Sequence, residues 1–305
     1  MDLMMNIYHF LLDIILLNLQ IVAVLLLDIY GIFVPPMEKS LRNKIILITG
    51  GGGRLAREMA LQMALMGSQL VLCDINEPEL QESGRVIQEA DGEVALYRCD
   101  ITKHEQVSEM ARRVGLEVGD PWMVINCAEA CSEMTLLEHS TRDVQNTVDV
   151  NLMGTMWLTR SFLGSMVSSN SGHVVFISSV LGVVAHTRLA PFCASNFAVT
   201  GFSESLSDEL RDEGIDGVTV TLVHHTTVRA SGVPAAAAGH QHRNKRLLGL
   251  FDGMSPAAAA SAIIAGIRIN QEEIFLPRKL KPITRIYRCL PHSVRRVFKS
   301  YLESS

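Results

Sequence analysis

The sequence predicts a doubly wound α/β domain: a parallel sheet with helices on both faces, preceded by a separate hydrophobic helix. Three observations predict it. From about residue 41 to 277, short apolar runs alternate with longer amphipathic stretches, the pattern of repeated β-α units. Four consecutive glycines, Gly50 to Gly53, join the first apolar run to the first amphipathic one. Residues 7–34 are almost wholly apolar, interrupted chiefly by Asp13, Asn18, Gln20 and Asp28. The 305 residues therefore divide into a hydrophobic anchor (1–36), a single Rossmann-type domain (37–277) and a basic amphipathic tail (278–305).

The N-terminal run comes first. Its charge-free part, 14–27, is shorter than the roughly 20 residues a helix needs to cross a bilayer. With its flanks it is long enough, although two carboxylates then lie at or near the hydrocarbon. A cleaved signal peptide fits poorly, because Asp2 is the only charge before the run and no small-x-small cleavage site follows. The run reads as a membrane anchor, spanning or monotopic, with a buried core helix as the alternative. Lys39, Arg42 and Lys44 follow it and place the domain in the cytosol.

In the domain, 44–49, 69–74, 93–99, 122–127, 173–178 and 218–223 read as strands, and 274–276 as a further one. Helices are expected at 54–65, 79–90, 103–114, 143–167, 192–212 and 257–269, with a flexible loop around 234–239. In the tail, Arg278, Lys279, Lys281, Arg285, Arg288, Arg295, Arg296 and Lys299 alternate with apolar residues at roughly helical spacing. Such a helix suits an anionic lipid surface, or is an ordinary solvated face.

Composition excludes some functions. Charged residues make up 19% and the net charge is -5, so no basic field for nucleic acid exists. The six cysteines are scattered without a C-x-x-C pair, which reads as reduced core thiols in a reducing compartment. Cys127 and Cys131 lack a second Cys/His pair, so no metal site is expected.

The chemistry-bearing residues fall at the C-terminal ends of the expected strands. Gly50, Gly51 and Gly53 allow the backbone to approach a pyrophosphate, and the next helix offers its N-terminus. Asp74 ends the second strand, where a carboxylate binds adenosine ribose hydroxyls and repels a 2′-phosphate, favouring NAD. Asp100 and Ile101 end the third strand beside the adenine edge, and Asn126 ends the fourth.

With Leu72-Cys73-Asp74-Ile75-Asn76, Val150-Asn151-Leu152-Met153-Gly154, Gly172-His173-Val174-Val175 and Cys193-Ala194-Ser195, the chain resembles the short-chain dehydrogenase/reductase family. It is most similar to the membrane- and lipid-droplet-associated branch of hydroxysteroid and retinol dehydrogenases. That resemblance implies residence on the endoplasmic reticulum membrane or lipid droplets, and a homodimer or a heterodimer with a paralogue built on helices 143–167 and 192–212. It also implies a catalytic set in which Asn151 and Ser179 are retained. Phe192, thirteen residues after Ser179, stands where the family has its proton-donating tyrosine, and Asn196 where it has the activating lysine. Arg54 and Ala56 replace glycines of the family's T-G-x-x-x-G-x-G, although Gly51-x-Gly53-x-x-Ala56 keeps the general dinucleotide spacing. Glu129 replaces the glycine of N-N-A-G, and His225-Thr226 the usual proline-glycine.

Phe192 has no ionisable proton, and loss of general acid–base catalysis costs about 10²–10⁴-fold. His186, His224 and His225 are the substitute donors the sequence offers. Two readings stay open: a catalytically impaired family member acting at a membrane or through a partner, and an active NAD-dependent oxidoreductase for a hydrophobic alcohol or ketone of retinoid or steroid class.

Overall fold

The computed structural model describes residues 2–34, 36–226 and 254–303. They fall into two units, Met1–Lys39 and Ser40–Ser305. The first is one helix, α1 (Asp2–Phe33), of 32 residues; at ~1.5 Å rise per residue it is about 48 Å long. Its stretch Met5–Ala23 is long and apolar enough to cross a membrane, and none of it is buried. Tyr8, Phe10, Leu17 and Leu19 are exposed. The Asn18 amide donates to the Ile14 carbonyl at 2.7 Å, which satisfies part of its polarity within the helix itself.

The second unit begins with β1 (Ile45–Thr49), α2 (Arg54–Leu65), β2 (Gln69–Asp74), α3 (Glu77–Glu89) and β3 (Val94–Arg98). It continues through α4 (His104–Glu117), β4 (Met123–Asn126), α5 (Thr141–Val148) and α6 (Thr155–Ser168). Then come β5 (Gly172–Ser179), α7 (Ala190–Asp212), β6 (Val218–His225), α8 (Pro256–Arg268) and β7 (Glu273–Leu276). Two short helices, α9 (Leu280–Cys289) and α10 (His292–Glu303), follow. The seven strands form one sheet in the order β3-β2-β1-β4-β5-β6-β7, every neighbouring pair parallel. The order reverses between β1 and β4, which opens a crevice at their C-terminal ends.

Both faces of the sheet are buried, which is why its strands read as continuous aliphatic runs. Ile46, Ile48, Leu70 and Leu72 pack on one face with Met59, Met63 and Ile263. Leu47, Val71, Val124 and Phe176 pack on the other with Leu158, Phe162 and Leu206. Local signals start the helices. Asn76 accepts from the Glu79 N–H ahead of α3, Ser140 and Asp143 form a capping box on α5, and Ser255 caps α8, where Pro256 occupies the first turn.

Two expected helices differ. The helix expected over 143–167 is divided: a π-helical turn, Asp149–Gly154, separates α5 from α6 and carries Asn151. Gly154 packs there so closely that a Cβ would lie 2.7 Å from the Ile101 side chain. The single amphipathic tail is two helices, because Pro291 has no N–H to continue α9. The loop expected at 234–239 lies outside the described residues.

The edge of the sheet holds a buried histidine. His224 is 0% exposed, stacks on Phe275 with ring centres 4.6 Å apart, and places Nε2 3.2 Å from Glu273 Oε1. The His224 ring beside it lowers the Glu273 carboxyl below its ordinary value, with Lys281 and Arg285 adding to the pull, against the opposing effect of burial. A depressed acid contributes stability above its unfolded pKa of about 4.3 and loses it as pH falls through the depressed value. Glu273→Gln is therefore expected to reduce stability at pH 7, by less than about 1 kcal/mol given its partial exposure. It should also flatten the loss of stability below about pH 4.3. Denaturant unfolding across that range checks this; parallel acid limbs would show that the pair contributes nothing.

Candidate active site and cofactor cleft

The glycine turn leaves β1 as expected. Gly50 has φ +65°, and a Cβ there would lie 2.9 Å from the Ala128 Cα, so only glycine fits between the ends of β1 and β4. The turn is held by its own protein. The Gly51 N–H donates to the Cys73 carbonyl at 3.0 Å, the Gly53 N–H to the Gly50 carbonyl at 2.8 Å, and the Gly52 N–H to Asp74 Oδ2 at 2.9 Å. Asp74 Oδ1 accepts from the Asn76 N–H at 2.8 Å. Arg57 stitches the turn to α3, donating to the Gly52 carbonyl, Ser83 Oγ and Glu79 Oε2. Gly53 offers no side chain to cap α2, and Arg54 stands exposed at its first position.

Further along the crevice, Asp100 Oδ1 accepts from both the N–H and the hydroxyl of Thr102, at 3.0 and 2.7 Å. Ile101 is 8% exposed and belongs to the core beside Gly154. Asn126 ends β4, 4% exposed, donating to Thr159 Oγ1 at 3.3 Å, and its Oδ1 has no partner among the described residues.

Asn151, Ser179, Phe192 and Asn196 converge in one closed hydrogen-bond network. Asn151 clamps the Ala130 backbone, accepting its N–H at 2.7 Å and donating to its carbonyl at 3.0 Å. It also donates to Ser195 Oγ at 3.0 Å, and Ser195 in turn donates to the Phe192 carbonyl at 2.9 Å. Asn196, 3% exposed, donates to that same carbonyl at 3.0 Å. Its Oδ1 accepts twice, from Ser178 Oγ and from the Ser179 N–H, each at 2.9 Å. Ser179 Oγ donates to the His225 carbonyl at 3.3 Å and accepts from the Leu181 N–H at 3.1 Å, capping a short 3₁₀ turn, Val180–Gly182. Phe192 is buried. Ser178 and Ser195 join this network as well; the sequence offers Ser195 only within the Cys193-Ala194-Ser195 motif and Ser178 only as the neighbour of Ser179, and assigns neither a role.

The substituted cleft residues form a second group. His225 Nδ1 lies 2.7 Å from the Thr226 carbonyl, which only accepts, so Nδ1 carries a proton. Surrounding protein pushes the Glu129 carboxyl up, and the nearby His225 pulls it back down. The Glu129 side chain still reaches solvent, which moderates that push. His186 lies on the loop before α7, its Nδ1 2.8 Å from the Thr187 carbonyl.

The two ends of the crevice fit a nicotinamide dinucleotide differently. At the adenosine end, the Gly50 turn, the uncapped start of α2 and the Asp74 carboxylate match a ribose-pyrophosphate. At the end where the family's motifs meet the nicotinamide, this chain's residues differ. Asn196 brings no ammonium and both its acceptor positions are filled within the protein, while Glu129 introduces a carboxyl where the family's motif has glycine.

Solved structures share this architecture. A short-chain dehydrogenase/reductase from Burkholderia phymatum, in complex with NAD, aligns over 82% of this chain and 94% of its own with TM-score 0.71 and 23% identity, a likeness of fold. Estradiol 17-beta-dehydrogenase 11 of Homo sapiens is 30% identical over 95% of this chain and 93% of its own. 17-beta-hydroxysteroid dehydrogenase 13 of Homo sapiens is 29% identical over 93% and 91%. Retinol dehydrogenase 10-B of Xenopus laevis is 34% identical over 70% of each. The family model described as short chain dehydrogenase matches residues 44–237. Motifs, sheet order and relatives agree, and the chain belongs to the short-chain dehydrogenase family, on the branch of the hydroxysteroid and retinol dehydrogenases.

Proposed function

We propose that this protein is a membrane-associated member of the family in which the redox chemistry is silenced and the fold serves at a membrane or lipid-droplet surface, through its own surface or a dimer partner. One observation carries the proposal: Asn196, at the lysine position, directs its carboxamide oxygen to Ser178 and Ser179 and its nitrogen to the Phe192 carbonyl. It stabilises α7 against β5 and has no charge to activate a proton donor. Phe192 supplies no proton, and Ser179 Oγ donates to a backbone carbonyl. Support for the membrane comes from the exposed apolar length of α1 and the lysines and arginine that follow it, which favour a cytosolic domain on the endoplasmic reticulum. Helices α5, α6 and α7 offer the surface for a homodimer or a heterodimer with a paralogue.

The cofactor is the direct test. The crevice suits the adenosine diphosphate portion of NAD, with Asp74 opposing a 2′-phosphate. Calorimetric titration of the full chain in neutral detergent is expected to give NAD⁺ and NADH affinities within about threefold of ADP, a difference below 1 kcal/mol. No retinol- or estradiol-dependent formation of NADH should accompany it. Dinucleotide binding tenfold tighter than ADP, together with turnover, would transfer the assignment to the second reading. In that reading the protein oxidises or reduces a hydrophobic alcohol or ketone, as its relatives' names suggest, with His225 and Glu129 handling the proton. The adjacency of those two groups is what favours it.

A further inference from the structure

A cavity of about 410 Å³ opens between the segment after the 3₁₀ turn, α7, and the junction of α9 with α10. None of Asn151, Ser179, Phe192 and Asn196 lines it. Its volume lies within the ~300–1,000 Å³ of small-molecule sites. Val183, Ala185 and Phe197 form an apolar wall, and Phe197 is 37% exposed. Across from them stand Arg288, Arg295 and Arg296.

No carboxylate lines the cavity among the described residues. Arg285, three residues before Arg288 on α9, reaches Glu273 at 3.6 Å, but Arg288, Arg295 and Arg296 have no such partner among the described residues. Arg295 lies against Tyr287, its guanidinium carbon 6.0 Å from the ring centre, and its buried Nε has no hydrogen-bond partner among the described residues. A cationic N–H buried without an acceptor is unfavourable, and like charges around one small cavity repel. A bound anion relieves both costs.

We propose that this cavity binds an amphipathic anion, a phosphomonoester on an alkyl chain. The phosphate oxygens accept from Arg288, Arg295 and Arg296, and the chain lies on Val183, Ala185 and Phe197. Three guanidinium groups suit a dianion with three terminal oxygens better than a singly charged carboxylate. The site does not rest on the redox reading: it stands whether or not the cofactor crevice is active.

Octyl phosphate is the probe, titrated calorimetrically into the full chain in neutral detergent, beside inorganic phosphate, octanol and octanoate. Octyl phosphate is expected to bind at least tenfold tighter than each of the other three. Arg295→Gln with Arg296→Gln should weaken it at least tenfold, whereas Arg112→Gln, on a surface pair with Glu109, should not. Phe197→Ser should weaken octyl phosphate and leave inorganic phosphate unchanged. Should the double variant fail to fold, Arg288→Gln at an exposed position carries the same comparison. Equal affinity for octanol, a preference for octanoate, undiminished binding by the arginine variants, or binding only to anionic vesicles would each overturn the proposal.

Discussion

Restoring the family's missing pair, Phe192→Tyr with Asn196→Lys, is expected to leave turnover within tenfold of the unaltered protein and to lower stability by about 2–4 kcal/mol. The stability loss follows from Asn196. Its Oδ1 is the acceptor for the Ser178 hydroxyl and the Ser179 N–H, and Ser178 is 0% exposed. Lysine accepts nothing, so two buried donors are left unpaired, at about 1–3 kcal/mol each before relaxation. The lysine stem recovers part of this if it carries its ammonium towards the crevice. On the proposed function turnover gains little, because other groups also depart from the family's motifs. Ser179 Oγ still donates to the His225 carbonyl, Glu129 still places a carboxyl near the nicotinamide end, and Arg54 still begins α2. Denaturant unfolding of the full chain and NADH formation with retinol or estradiol measure the two parts. A hundredfold gain in turnover at unchanged stability would show that only the pair was missing and would sink the silenced reading.

The contrast between what spacing predicts and what Asn196 does marks how far the sequence was legible. Hydrophobic alternation placed each strand within about two residues, because a sheet buried on both faces writes itself as aliphatic runs. The caps at Asn76, Ser140 and Ser255 set helix starts through local bonds, which depend on near neighbours. Family membership, expected from motifs at the strand ends, is borne out by the family model and the relatives. The closed network was not legible. Asn196 meets Ser178 and Ser179 from another element, eighteen and seventeen positions away, and Asn151 meets Ser195 across 44. A motif position reveals which group is absent; only the fold reveals that its replacement has become a structural tie. The π-helical turn escaped for a similar reason, since its helical period differs little from that of α5 and α6. The break at Pro291 was readable, and the basic periodicity of the tail obscured it.

Deleting residues 1–36 is expected to abolish salt-resistant membrane association, the largest change of any variant considered. Within α1, Met5–Ala23 exposes its apolar side chains along its whole length. At about 25 cal/mol per Å² of apolar surface, even the exposed large side chains of this stretch amount to many kcal/mol, beyond any peripheral contact. Asp13 opposes insertion by a few kcal/mol at most, by insertion scales, and a monotopic pose relieves it by leaving the carboxylate at the interface. What remains after deletion is electrostatic. The arginines of α9 and α10 each contribute about 1 kcal/mol near an anionic surface, and that attraction fades within a Debye length of about 8 Å in physiological salt. The full chain should therefore stay with neutral and anionic vesicles in high salt. The shortened chain should bind only anionic vesicles, and only in low salt. Flotation of both forms on the two vesicle types reads this directly. Retention of the shortened chain on neutral vesicles at high salt would locate the anchor elsewhere in the domain, and release of the full chain by salt alone would make α1 something other than an anchor.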